Sequence, residues 1–329
     1  MRRRINFLSY EVYQMNIIDN DFTTPVEIDA FICFNAQEVR AMKALEELYK
    51  RKLVNDVLTL SFNRSNSEIT DNIFQNINIY TVIISQDLSI NIIPCLQEID
   101  KYVKDKISIG IDITCMPIPL FTQILNFLYK KHNDKQITVY YTEPLHYTLN
   151  NLFDYSAYSG EIDIKAVPGF EGEMSQVDKV ERVVFYLMGF EMTYLAKLIP
   201  QDVNPNKIAP INGFPSYFPK YKDISMINNN TNFYEKDVNI NYSEANNPFE
   251  TYNTIVMLKN EYKNFKIDIV IAGSKPMALG ACLFALTNDN FNCRIMFPFP
   301  TEYKLDLSSG CGKLWEYKIK NQKDKLSKR

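Results

Sequence analysis

Compact apolar runs alternate with stretches of helical periodicity through the first half of the chain. The run from Asp29 to Asn35 predicts a buried strand, and apolar residues at helical spacing in 37–52 predict the helix that follows it. The same pattern predicts further strands at 54–62, 80–85, 107–114 and 136–142, and helices at 92–103 and 119–131. Strands that alternate with helices of this length predict crossover connections and a mainly parallel, doubly wound sheet.

The alternation restarts near Arg182. Strands are predicted at 182–191, 207–212, 267–273 and 293–298, and helices at 192–199, 248–262 and 276–286. The predicted fold is therefore α/β, with two Rossmann-like halves, each a doubly wound and mainly parallel sheet. The halves share an architecture without obvious sequence identity, so an origin by duplication stays open.

A polar, glycine-containing segment separates the two halves. The predicted organisation is a first Rossmann-like domain at 1–150, a joint at 151–176, a second Rossmann-like domain at 177–317 and a basic tail at 318–329. We interpret the tail as a solvated end, with nucleic-acid binding as the alternative.

Composition narrows the class of protein. The 329 residues are 46% apolar, the formal net charge is −3, and no apolar run approaches the length of about 18 residues needed to span a membrane. Charged residues follow the amino terminus too closely for a signal peptide, so we expect a cytoplasmic protein that does not bind membranes. The six cysteines are scattered and only two histidines are present, so neither a disulfide framework nor a metal site is expected.

Several catalytic and cofactor motifs are missing from the sequence. It contains no GxSxG nucleophile motif, no GxxxxGK[ST] phosphate loop and no GxGxxG dinucleotide fingerprint. We therefore predict no cofactor and leave open whether the protein is an enzyme.

Ligands of open parallel sheets bind beyond the carboxyl ends of the strands, so the residues that follow each predicted strand are the candidate site. The predicted helix start at Pro276 is preceded by Gly273, Ser274 and Lys275. The glycine allows close approach of the backbone, the serine supplies a hydroxyl and the lysine supplies an ammonium group, so the segment suits an anion. The alternative is that Ser274 only caps the helix and Lys275 is solvated.

Asp112 and Thr114 lie on the same face of another strand end. Burying Asp112 would be costly without a donor, so it is a candidate to hold a ribose hydroxyl, a water or a cation. The alternative is that Asp112 is an internal acceptor for N–H groups of the loop.

Further candidates follow the remaining strands. Ligand contacts are predicted at Asn35, Glu38, Gly189 and Tyr303, and the candidate catalytic acids or bases are Asp112, Glu143 and Glu191. A carboxylate at such a place also serves as a helix cap, and Glu38 with Arg40 also fits a surface helix pair.

Six of these segments resemble, in kind and order, a group of uncharacterised bacterial Rossmann-like proteins and, more distantly, the CARF and SAVED ligand-sensor domains of prokaryotic antiviral systems. They are Ile109–Met116, Tyr140–Pro144, Pro168–Gly172, Gly189–Glu191, Gly273–Gly280 and Phe297–Tyr303. The resemblance implies a nucleotide or cyclic oligonucleotide bound at the strand ends, with contacts at 35–38 and 273–275. No nuclease, protease or membrane effector is recognisable in the sequence, so the resemblance implies a separate effector protein.

Three functions follow as hypotheses. The first is a ligand-sensing or regulatory protein that binds a nucleotide-type, phosphate-bearing ligand within a bacterial anti-phage defence or signalling complex, where it is expected to be oligomeric. The second is a nucleotide-processing hydrolase, glycosidase or transferase that uses the strand-end carboxylates. The third is a structural subunit whose Tyr- and Asn-rich segment 214–247 forms a protein interface.

Overall fold

Thirteen strands and six α-helices are assigned in the part of the chain that the computed structural model describes, which is residues 9–15, 27–36, 38–62, 74–147, 158–172, 181–191, 207–233, 238–288, 293–303 and 308–320. The strands are β1 (Ser9–Met15), β2 (Ala30–Phe34), β3 (Asp56–Ser61), β4 (Asn78–Ile83), β5 (Ser108–Asp112), β6 (Gln136–Tyr147), β7 (Tyr158–Ala166), β8 (Arg182–Leu187), β9 (Ile208–Gly213), β10 (Asn241–Ser243), β11 (Lys266–Ile271), β12 (Cys293–Tyr303) and β13 (Ser308–Lys320). The helices are α1 (Lys43–Lys50), α2 (Ile93–Val103), α3 (Ile118–Lys131), α4 (Pro219–Phe233), α5 (Pro248–Glu261) and α6 (Lys275–Thr287).

The chain forms two compact units, each built on its own sheet. One unit comprises residues 1–88, 92–148 and 305–329, and the other comprises 89–91 and 149–304. The first sheet has the strand order β1-β13-β6-β5-β2-β3-β4 and the second β10-β9-β8-β11-β12-β7. If the parallel strands of each sheet are numbered along the chain, both sheets have the order 3-2-1-4-5. The prediction of an α/β protein with two doubly wound, mainly parallel halves is confirmed.

Each parallel sheet is extended by an antiparallel strand beside its fifth strand. β13 pairs with β6 in the first sheet, and β7 pairs with β12 in the second. β7 follows β6 along the chain but pairs in the second sheet, and β13 follows β12 but pairs in the first sheet. The chain therefore changes from the first sheet to the second after β6 and returns to the first sheet at β13.

The predicted domain boundaries differ from the structure at β7 and β13. The predicted joint at 151–176 contains β7, and the predicted end of the second domain, together with the first residues of the predicted basic tail, forms β13 in the first sheet. Polar residues alternate with Trp315, Tyr317 and Ile319 in this segment, so its pattern resembles a solvated end. Tyr317 is nevertheless fully buried, which shows that this alternation belongs to an antiparallel strand.

Helix α4 lies in the segment that the sequence predicts to be Asn- and Tyr-rich loops. Its buried positions recur at helical spacing, but they include Ser225, Asn228 and Asn229, so the apolar pattern that normally indicates a helix is missing. The predicted helix at 192–199 lies outside the described residues.

The central parallel strands are apolar because helices cover them. β2 is buried at all five positions, and residues of α1 that include Leu45 and Leu48 pack in one cluster with Phe31 of β2 and Tyr140 of β6. In the second unit, α6 begins at the cap residue Ser274 and is buried along nearly its whole length. No helix among the described residues combines the length and apolar character needed to cross a membrane.

Three charged side chains connect the central strands of the second sheet. Asp268 of β11 accepts hydrogen bonds from Arg182 of β8 and Arg294 of β12 at 2.5 to 2.8 Å. Burial alone would raise the pKa of Asp268, but the bonds from Arg294 and Arg182 outweigh it and lower the pKa. The ionised carboxylate is therefore the form that stabilises this sheet.

We predict that Asp268→Asn destabilises the protein at neutral pH by about 2–3 kcal/mol, because two partly exposed guanidinium groups lose their counter-charge. The pKa in the folded state lies below the unfolded value of about 4, so the stabilisation is present above that pH and is lost as pH falls through the folded pKa. Urea unfolding of both proteins at several pH values measures this. Asp163→Asn, which removes an exposed ion pair with Lys165 in the same sheet, is the control and should change stability little. A difference between Asp268→Asn and the parent that does not shrink below pH ~4 would contradict the assignment.

Candidate functional site

The first sheet has its topological switch point between β2 and β5. The chain leaves β2 towards β3 on one side and later returns to β5 on the other, so the loops after the two strands diverge at the carboxyl edge of the sheet. A crevice at this place is where open α/β sheets bind ligands. The loop after β2 carries Asn35 and Glu38, and the loop after β5 carries Thr114 and Cys115.

Glu38 connects several segments at this edge. Its Oε2 atom accepts hydrogen bonds from Nε and Nη2 of Arg40 at 3.1 and 2.7 Å, from the hydroxyl of Ser308 at 3.1 Å and from the thiol of Cys115 at 3.5 Å. Its Oε1 atom has no hydrogen-bond partner among the residues that the structure describes. One oxygen of this carboxylate is therefore fixed by the fold, while the other remains able to accept.

Arg40 is the counter-charge of Glu38 and is itself buried. Its Nη1 donates to the backbone carbonyl of Thr142 in β6 at 2.8 Å, so its guanidinium group connects β6 with the loop after β2. Burial acts against the charged form, but the neighbouring Tyr141 and Glu38 outweigh it and raise the pKa of Arg40. The guanidinium group is a buried structural cation and does not form a surface helix pair with Glu38.

Asp112 and Thr114 stabilise the turn after β5. Oδ1 of Asp112 accepts the backbone N–H of Thr114 at 2.8 Å, and the hydroxyl of Thr114 accepts the backbone N–H of Thr142 at 2.9 Å. Both side chains are at most 2% exposed. Oδ1 of Asp112 therefore accepts a hydrogen bond from its own loop, as in the alternative that the sequence left open.

The carboxylate of Glu143 is held by a tryptophan of β13. Its Oε1 accepts a hydrogen bond from Nε1 of Trp315 in β13 at 2.6 Å, and Glu143 is 8% exposed. This bond fixes β13 beside β6. It gives Glu143 a structural role at the same edge of the sheet as Glu38.

The corresponding crevice of the second sheet, between β8 and β11, is closed by backbone. A Cβ atom added to Gly189 would lie 1.8 Å from the carbonyl oxygen of Ala272, so the space that glycine leaves is filled by the neighbouring loop. The carbonyl of Gly189 also accepts hydrogen bonds from Ser225 and Asn229 of α4, both at 3.0 Å, and that of Phe190 accepts one from Asn228 at 2.6 Å. Gly189 therefore allows the loops after β8 and β11 to pack closely against each other.

The segment from Gly273 to Lys275 forms the start of α6. The hydroxyl of Ser274 accepts the backbone N–H of Met277 at 3.3 Å and donates to the carbonyl of Ala245 at 2.5 Å, so Ser274 is a helix cap that is also tied to a neighbouring loop. A Cβ on Gly273 would lie 3.1 Å from the carbonyl oxygen of Met188, which again indicates tight packing.

The predicted site residues are thus divided between the two units. Asn35, Glu38, Asp112, Thr114 and Glu143 lie at the carboxyl edge of the first sheet, and Gly189, Glu191, Gly273, Ser274 and Lys275 lie at that of the second. Glu191 is 6% exposed, and Tyr303 is the last residue of β12, with a side chain outside the described part of the chain. Of the three candidate acids or bases, Asp112 and Glu143 belong to the first unit and Glu191 belongs to the second.

The surroundings of Glu38 and Arg40 are completed by Ser308, Cys115 and the carbonyl of Thr142. These three groups were not predicted from the sequence as part of the site. Ser308 belongs to a segment that the sequence places in the second half, and a backbone carbonyl carries no sequence signal. Across the described ranges, no group of three or more His, Cys, Asp or Glu side chains is arranged to hold a metal ion.

No protein-family model matches the chain, and no curated protein matches it. Among solved structures, the chain is similar to a universal stress protein from Archaeoglobus fulgidus DSM 4304, with 14% identity, coverage of 82% of this chain and 96% of that one, and a TM-score of 0.25. It is also similar to an N-terminal ketoreductase from a macrolactin assembly line, with 7% identity, coverage of 87% and 72%, and a TM-score of 0.25. At these TM-scores neither similarity bears on function.

We predict that Gly189→Ala destabilises the protein by about 1–3 kcal/mol, because the new methyl group must displace the Ala272 carbonyl. Gly213→Ala, at the same edge of the same sheet, is a graded control and should cost less, since its Cβ would meet the Ala245 side chain at 3.1 Å instead of a backbone carbonyl at 1.8 Å. Thermal or urea unfolding compares the two variants. Equal stability of both variants would show that the second crevice is not closed by this contact.

Proposed function

We propose that the protein is a ligand-sensing or regulatory protein that binds a small nucleotide-type ligand at the carboxyl edge of the first sheet. The observation that carries the proposal is the fixed carboxylate of Glu38. Its Oε2 atom takes four hydrogen bonds from three residues, and Oε1 has no partner in the described chain. A carboxylate oriented in this way favours a ligand group that donates hydrogen bonds, such as a ribose hydroxyl or an amino group of a base.

The charges of the crevice orient the proposed ligand. Glu38 is the residue that precedes the 3-10 turn at 39–42, the place where dinucleotide-binding folds put a phosphate. A carboxylate there repels a phosphate, so the sugar or base is expected beside Glu38. We expect the phosphate towards the start of α3, where Pro117 provides no side-chain cap.

The hydrogen bonds of the carboxylates support a binding role more than a catalytic one. Asp112 and Glu143, two of the three candidate acids or bases, hold structural hydrogen bonds, which gives the hydrolase, glycosidase or transferase alternative less support than ligand binding. Four further points stay predictions drawn from the CARF and SAVED resemblance. They are a nucleotide or cyclic oligonucleotide as ligand, a separate effector protein as partner, oligomer formation and a place in anti-phage defence.

We predict that Glu38→Gln weakens binding of the best ligand among AMP, ATP, GTP and cyclic oligoadenylates by about ten- to a hundredfold, the usual value of a hydrogen bond to a charged group. Isothermal titration of the parent and variant proteins measures the loss. Glu98→Gln, an exposed change on α2, should leave affinity unchanged. Thermal melts check that both variants are folded. Binding of equal strength by Glu38→Gln and the parent, or no binding of any of these ligands by the folded parent, would overturn the proposal.

A further inference from the structure

Two large aromatic rings are half-exposed and in contact at the carboxyl edge of the second sheet. Phe214 directly follows β9 and Tyr242 lies in β10, with 49% and 47% of their surfaces exposed. Their ring centroids are 6.0 Å apart and their planes are inclined by 73°. Two adjacent, half-exposed rings offer apolar surface on which a ligand can stack.

The backbone around these rings is held in place by hydrogen bonds. The N–H of Phe214 donates to the carbonyl of Ser243 at 2.7 Å, and the N–H of Ala245 donates to the carbonyl of Pro215 at 3.0 Å. The hydroxyl of Tyr217 adds a bond to the carbonyl of Ala245 at 3.1 Å. The two rings therefore project from a preorganised platform, which lowers the entropic cost of binding.

A cationic side chain flanks one of the two rings. Nζ of Lys222 lies 5.3 Å from the centroid of the Phe214 ring. Lys222 is in the first turn of α4, and Asp223 lies 3.9 Å from it. Flat aromatic faces beside ammonium groups suit a base that stacks and a phosphate that pairs with the cation.

We propose that Phe214, Tyr242 and Lys222 form a stacking site for a nucleobase that carries a phosphate, supplied either by a free nucleotide or by one unit of a single-stranded oligonucleotide. This site belongs to the second unit and does not depend on the site around Glu38. It gives the Tyr- and Asn-rich segment 214–247 a ligand-binding role in place of the protein-interface role that composition alone favours.

The test uses the fluorescence of 2-aminopurine, which is quenched when the base stacks on an aromatic ring. The probes are 2-aminopurine riboside 5′-monophosphate, the same riboside without phosphate, and a short single-stranded oligonucleotide that carries one 2-aminopurine. The full chain is titrated against each. Stronger binding of the monophosphate assigns the site to free nucleotides, and stronger binding of the oligonucleotide assigns it to single strands.

We expect Phe214→Leu and Tyr242→Leu, which keep an apolar side chain but remove the flat ring, each to weaken binding about tenfold. Lys222→Gln should reduce binding of the monophosphate to the level of the riboside. Met257→Ala, which removes an apolar side chain of similar exposure from α5 of the same unit, should change nothing. Glu38→Gln should also leave the quenching unchanged, which separates this site from the proposed function.

Saturable quenching that the two leucine variants retain would overturn the proposal, as would the absence of quenching by any probe with the folded parent. Because Phe214 precedes a proline, its variant is checked by circular dichroism, and Tyr242→Leu alone is sufficient for the test. Self-association of the parent that both leucine variants abolish, without quenching by any probe, would assign the rings to a protein interface instead.

Discussion

The ion pair between Glu38 and Arg40 is the interaction on which the carboxyl edge of the first sheet depends. A buried guanidinium group is costly unless it is paired and hydrogen-bonded. Here Glu38, two residues away, and the distant carbonyl of Thr142 satisfy it. Arg40 reaches Glu38 and the carbonyl of Thr142, and Glu38 in turn accepts from Ser308 and Cys115. The pair therefore joins the loops after β2 and β5 to β6 and to the first residue of β13.

The two units have the same strand order, but the loops at their switch points pack differently. In the first, the loops diverge around charged and hydroxyl side chains, with one carboxylate oxygen of Glu38 left able to accept. In the second, Gly189 lets the loop after β8 press against the carbonyl of Ala272, and asparagines of α4 satisfy the loop carbonyls. The same strand order thus carries charged and hydroxyl side chains at one switch point and close backbone packing at the other. Fold alone does not assign function, and the difference lies in a few side chains at equivalent positions.

The parallel core of both sheets is predictable from sequence because buried parallel strands are continuous apolar runs and the helices between them keep one apolar face. β7, β13 and α4 are not predictable in this way. β7 and β13 alternate polar and apolar residues, which is also the pattern of a partly solvated segment, and α4 buries asparagines whose partners are backbone carbonyls. The candidate site shows the same limit. Glu38 and Asp112 stand out as carboxylates at strand ends, but the contacts of Glu38 with Ser308 and of Arg40 with Thr142 arise from long-range pairing that no local pattern encodes.

The proposed ligand binds at the first crevice and not at the second. Hydrogen-exchange mass spectrometry, with and without a saturating concentration of the tightest-binding ligand from the nucleotide panel, measures which loops the ligand protects. We expect slower exchange in 35–40 and 113–116, and unchanged exchange in 188–191 and 272–275. Protection of the loops around Gly189 and Gly273, with none around Glu38, would contradict it.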